Sequence, residues 1–247
     1  MYIKNTCRIR DRIEVEKHYP GNYGAPGKKR EPKRERTPEE MAKQNLWRKT
    51  RYLRRLIELN FNPGDFHTIL TCRKEDRPET EEAPKIIRKF RDKLQREYKK
   101  QGWILKYIIT CEIGKRGAVH WHMIINNCQN ERTNTSKIIH KYWTRGRPWF
   151  IPLDDSGDYE KLAEYIVKET AKRIKNEKTI EKLSYIASRN LIKPVVRQKK
   201  VNANRWQKNP KPPKGYHVIP ESIVNGRNKF TGLPYQYYTI KKNRRGG

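Results

Sequence analysis

The stretch GAVHWHMII, residues 117–125, alternates so that each side chain falls on one of two faces. Successive side chains of a strand point to opposite sides. Val119, Trp121 and Met123 therefore share one face, and His120 and His122 share the other. The runs FHTILTC (66–72) and WILKYIITCEI (103–113) predict two more strands, and residues 149–153 a further one. Helical periodicity marks four other stretches. Thr37-Pro38-Glu39-Glu40 form a capping box with proline at the first helical position, opening a helix to about residue 59. Its apolar side holds Leu46, Leu53, Leu56 and Ile57, and Asn62-Pro63-Gly64-Asp65 ends it. Residues 84–100 form an amphipathic helix between Pro84 and Gly102. A short helix follows at 136–143, and another at 159–175 with Asp158 as its cap.

The order β-α-β-β-α-(β)-α is a split βαβ pattern. It predicts an α+β fold of ferredoxin or RRM type, an antiparallel sheet with helices on one face. The expected divisions are a basic arm and helix at 1–61, the folded domain at 62–190 and an extension at 191–247. Residues 1–36 hold a short strand at IEVEK and then proline, glycine and clustered bases, which predict an extended arm. KPVVRQKKVNANRWQKNPKPPKGY, beginning at 193, is basic and proline-rich and predicts an extended tail.

The histidine pair acquires chemistry from the strand before it. Lys115-Arg116-Gly117 between Gly114 and Ala118 suit a three-residue hairpin loop. That loop sets Glu112 opposite His120 and Thr110 opposite His122, and opposed residues share a face. One carboxylate and two imidazoles then converge as a three-ligand site for a divalent ion. A register slip of one residue would destroy it.

Charge changes the picture next. The chain has 58 Lys+Arg against 27 Asp+Glu, a net +31. Such a field draws polyanions, and nucleic acid is the usual one. No long apolar run or basic amphipathic helix favours a membrane. The four cysteines make no CxxC pair, so a zinc ribbon is excluded and free thiols are expected. MYIKNTCRIR lacks the apolar core of a signal peptide, and a cytoplasmic protein is expected. No GxxxxGK[ST] motif occurs, so no P-loop motor is expected on this chain.

In DYEKLAEYIVKETAKRI, 158–174, the apolar stripe is Tyr159, Leu162, Ala163, Ile166, Val167 and Ile174. Tyr165 lies off that stripe, with Lys161, Lys168 and Lys172 at helical spacing. A phenol ringed by lysines is suited to activation and to phosphate. Lys168 and Glu164 also stand at i,i+4, where an ion pair is the plain alternative.

His120-Trp121-His122, followed by Tyr165-Ile166-Val167-Lys168, resembles the HUH endonucleases, the initiators of rolling-circle replication. FHTILT (66–71) resembles their first motif, and the resemblance covers about residues 62–175. It is most similar to the replication-associated proteins of phages and plasmids. It implies a nuclease in which Glu112, His120 and His122 hold Mg2+ or Mn2+. Tyr165 would attack a phosphate of single-stranded or hairpin DNA, leaving a 5′-phosphotyrosine and a free 3′-OH, with Lys168 assisting. The same ligands also suit zinc. A host helicase and polymerase would supply strand separation and synthesis. YWTRGRPWF (142–150) interleaves Trp143, Arg145, Arg147 and Trp149, a composition suited to single strands. Lys161, Lys172, Lys115, Arg116 and the helix bases Arg48, Arg51 and Arg55 are the other expected nucleic-acid contacts. The alternatives are a transposase or relaxase of the same chemistry, a zinc hydrolase, and a non-catalytic DNA- or RNA-binding module.

Overall fold

The computed structural model describes residues 1–20, 37–114, 118–156, 159–176, 185–228 and 232–243, with backbone alone over 169–176. Strands β1 (Tyr2–Ile9) and β2 (Arg12–His18) open the chain. Helix α1 (Pro38–Asn60), strand β3 (Phe66–Leu70), helix α2 (Ala83–Lys100) and strands β4 (Tyr107–Ile113) and β5 (Val119–Ile125) follow. Then come α3 (Thr135–Tyr142), β6 (Pro148–Pro152), α4 (Glu160–Asn176) and β7 (Ile186–Ala187). Strands β8 (Val196–Val201), β9 (Tyr216–Val218), β10 (Val224–Arg227) and β11 (Pro234–Lys242) complete it.

The backbone divides into two compact units, Leu46–Ile192, and Met1–Asn45 with Lys193–Gly247. The first is built on a five-stranded sheet in the order β6-β3-β5-β4-β7, antiparallel throughout. This is the expected α+β core with its antiparallel sheet. The helices, however, lie on both faces rather than one. Leu94, Phe90 and Ile87 of α2 and Ile138 and Ile139 of α3 pack with Trp121, Met123 and Ile109. Leu53, Leu56 and Ile57 of α1 and Ala163, Ile166 and Val167 of α4 pack with Ile108 and Ile124 on the other side. The reason lies in β4 and β5, whose apolar residues occupy both sets of alternate positions, so each face needs a cover.

Local signals act as read. Thr37 Oγ1 accepts from the Glu40 amide at 3.2 Å, and Glu40 Oε2 accepts from the Thr37 amide at 3.2 Å, the reciprocal bonds of a capping box. Gly102 takes a left-handed conformation (φ 71°) just past α2. Asp158, the expected cap of α4, lies outside the described residues. The four cysteines are free. Among the described residues no helix is long and apolar enough to cross a membrane.

The terminal unit departs from the extended arm and tail that composition predicts. β1, β2, β8, β9, β10 and β11 form a six-stranded sheet along the path β10-β11-β2-β1-β8, with β9 on β11. Val15, Tyr238 and Ile240 form its buried cluster. The strands escape a local reading because they are polar and their partners are remote.

Candidate metal and tyrosine site

The site begins with the β4–β5 hairpin. Glu112 pairs with His120 and Thr110 with His122, as the loop length predicts. The Gly114 amide donates to Ala118 O at 2.9 Å and closes the register; the loop residues Lys115 and Arg116 lie outside the described residues. Val119, Trp121 and Met123 fill the core beneath, so the strand cannot slip without exposing them. Burial of that face thus aims both imidazoles to the other.

Glu112 Oε2 lies 2.9 Å from His122 Nε2 and 3.3 Å from His120 Nε2. The three donor atoms lie within 4.8 Å of one another. Adjacent ligands of a cation with bonds of about 2.1 Å sit about 3 Å apart, so the set fits a small divalent ion. Burial works against ionisation of Glu112, but the Tyr165 hydroxyl and the two imidazoles outweigh it and hold its carboxyl below the ordinary range. The carboxylate is thus ready to ligate without first shedding a proton.

A third histidine stands behind the cluster. His67 Nε2 lies 3.1 Å from His122 Nδ1. Burial, and after it the nearness of His122, lowers the His67 pKa to about 4, so this ring is neutral at ordinary pH. A neutral His67 can accept from His122 Nδ1–H. That bond fixes the tautomer in which His122 Nε2 offers its lone pair to the cluster. His67 is therefore a support of the site, turned to the side of His122 away from Glu112. The motif FHTIL contained the signal, since alternation puts His67 and Ile69 on one face. It becomes legible only once β3 is paired with β5, where Ile69 stands opposite His122.

Helix α4 brings the tyrosine. Ala163, Ile166 and Val167 anchor it to the core, leaving Tyr165 39% exposed. The Tyr165 hydroxyl donates to Glu112 Oε2 at 2.7 Å and lies 3.2 Å from His122 Nε2. Its ring meets His122 edge-on at 5.1 Å. Tyr159 is buried, and its hydroxyl donates to Asp154 O, so only one tyrosine of this helix pair reaches the cluster. Lys168 Nζ contacts Glu164 at 2.7 Å, the i,i+4 ion pair. Lys161 is exposed, and the Lys172 side chain lies outside the described residues.

The expected nucleic-acid residues divide sharply. Trp143 is 3% exposed and its indole N–H donates to Thr71 O, so it packs in the core and is corrected from a surface contact. Arg55 is likewise buried, because the inward stripe of α1 is wider than its apolar residues alone suggest. Arg145 is half-buried and donates to Asp76 O. The loop around it is clamped: a side chain on Gly146 would meet Thr71 O at 2.3 Å. Arg48 is exposed, and Arg51 lies over the Trp47 ring at 5.0 Å. Arg147 and Trp149 are exposed and stack on each other at 4.9 Å. Trp149 pairs with Ile69, which pairs with His122, so the indole stands on the same sheet face as the cluster.

Residues 66–173 match the family model for replication-associated proteins of the ORF2 type. No curated protein and no solved structure gives a significant match. The matched stretch runs from the start of β3 into α4 and takes in His67, Glu112, His120, His122 and Tyr165. The fold, the cluster and this match converge: the chain carries, over residues 66–173, a domain of the ORF2-type replication-associated protein family.

Proposed function

We propose that the chain nicks and rejoins single-stranded DNA to start rolling-circle replication, with Tyr165 as nucleophile. One observation carries the reading: a solvent-accessible phenol hydroxyl rests within hydrogen-bond reach of two members of a three-ligand cluster. Mg2+ or Mn2+ held by Glu112, His120 and His122 would draw charge from a phosphate oxygen of the DNA. The chain's own groups do the rest. Glu112 Oε2 and His122 Nε2 are the acceptors within reach of the phenol proton. As the Tyr165 oxygen bonds to phosphorus, the bond from phosphorus to the 3′ oxygen breaks. The departing oxygen takes up a proton as a 3′-OH, and the 5′ phosphate stays on Tyr165. Attack by a later 3′-OH reverses the step and joins the strands.

Lys168 can assist. Its pair with Glu164 is half exposed on both sides, and such i,i+4 pairs are worth only about 0.3–0.5 kcal/mol. A phosphate can therefore draw Lys168 away from Glu164. Trp149, with Arg147 on its ring, supplies a stacking surface for a base two strands from His122, about 10 Å by ordinary strand spacing. A host helicase or a DNA hairpin would present the single strand, and a host polymerase would extend the released 3′-OH.

The test is covalent capture. Wild type incubated with a labelled stem-loop pool and Mn2+ should yield a protein–DNA adduct stable to denaturation. Tyr165→Phe should yield none while binding the same pool with nearly unchanged affinity. An adduct that survives Tyr165→Phe, or a wild type that forms none, rejects the proposal in favour of a binding module.

A further inference from the structure

The terminal sheet carries an anomaly in its cross-strand pairs. Lys4 of β1 is directly opposite Lys17 of β2 on one side and Lys199 of β8 on the other. Three lysines thus stand in one row on one face. The next row on that face reads Val15, Thr6, Arg197. Like charges set directly opposite destabilise a sheet, so a row of this kind calls for a compensating anion. Among the described residues of these three strands, no acid supplies it. Following the same register, the strand acids Glu14 and Glu16 fall on the other face, opposite Cys7 and Asn5. The segment 204–213, which crosses the lysine face, contains no acid either.

That crossing is fixed. Gln236 pairs with Lys17, and its amide nitrogen donates to Gln207 O and Lys208 O at 2.9 Å each. Trp206 rests against Tyr2 and Tyr19, with centroids 5.2 and 4.9 Å apart. Between segment and sheet remains a cavity of about 360 Å³ with Lys4, Thr6 and Lys211 at its polar side and Val15, Tyr238, Ile240, Pro212 and Pro213 at its apolar side. Lys17 is 7% exposed and donates to Gln236 Oε1 at 3.0 Å. A buried ammonium has three protons to place, and this one sits beside a second lysine. Arg197, Lys199 and Lys211 are exposed.

We infer that this acid-free face, with Lys4, Arg197, Lys199 and Lys211, is a second DNA-binding surface, one that takes the backbone phosphates of a strand without reading its bases. It is made of residues outside the matched family domain, and it works independently of Tyr165. The apolar side of the cavity beside Tyr238 offers room for an unstacked base, which favours a single strand over a duplex.

Strand alternation provides the control. Lys199 and Lys200 are neighbours, both exposed, and differ in the face they occupy. Binding of a fluorescent mixed-sequence single strand, and of its duplex, would be measured against salt for the full chain. Lys199→Glu should weaken single-strand binding about tenfold at low salt, whereas Lys200→Glu should change it less than about twofold. The double variant Arg197→Gln, Lys199→Gln leaves the fold free of new charge, and should lower the slope of log K against log salt by about 1.4, at about 0.7 per lost contact. Adduct formation on a short stem-loop should persist in all of these variants. Equal losses from Lys199→Glu and Lys200→Glu would mean diffuse attraction by the net charge and would overturn the inference, as would an unchanged slope in the double variant. A duplex bound better than the single strand would overturn the assignment to single strands.

Discussion

The two sheets of this protein treat charge in opposite ways. In the family domain an acid faces a histidine across a hairpin, Glu112 against His120, and a phenol completes the contact. In the terminal sheet Lys17, Lys4 and Lys199 face one another with no acid in the row. The first arrangement is nearly self-satisfied and leaves room for a single small cation among convergent lone pairs. The second is unsatisfied over a broad surface and suits an extended anion. The backing differs too. Helices cover both faces of the first sheet, whereas a proline-rich crossing segment covers part of the second. Sign and spread of charge therefore distinguish a reaction centre from a grip within one small chain.

The comparison breaks most visibly at Glu112. Glu112→Gln removes the one anion of the cluster and should abolish both Mn2+ binding heat in calorimetry and cation-dependent adduct formation. Tight Mn2+ binding in that variant would mean that the acid is not a ligand. His67 gives the next effect. His67→Phe should lower Mn2+ affinity about 10–100-fold, the usual cost of losing a group that orients a ligating histidine. His67→Gln, which keeps an acceptor, should lose less. Equal losses in both, tracking a lower melting temperature, would reduce His67 to packing.

The smallest effect belongs to the terminal sheet. Burial, and then Lys4, lower the Lys17 pKa to about 8 from its ordinary 10.5. Between these values the folded chain binds fewer protons than the unfolded chain, so stability rises with pH over that window. Below about pH 8 both states hold the proton and the cost is present in full. Lys17→Met should flatten this rise and increase stability at neutral pH, as read by denaturant unfolding across pH. An identical pH profile would show that Lys17 is relieved by other means.

The family domain was largely legible from its residues, and the terminal sheet was not. The Glu112–His120 register followed from a short loop, and the placement of Tyr165 followed from the apolar stripe of α4. Both are local relations. His67 escaped because its partner is reached through a strand pairing 55 residues apart. Trp143 misled because a tryptophan beside arginines has the same composition on a surface and at a core edge. The strands β8 and β11 escaped for a stronger reason. Their sequences are polar, and their bonds reach far: Thr6 to Arg197 spans 191 residues and Lys17 to Gln236 spans 219. Nothing in a local window announces such partners.

Those spans bear on how the molecule is made. β1 and β2 leave the ribosome first, yet the strands that flank them, β8 and β11, emerge only after the whole reaction centre has been translated. The tyrosine and its ligands can be assembled while the opening hairpin is still without neighbours on either edge. Capture of long DNA thus becomes available last, after the cutting machinery is already in place.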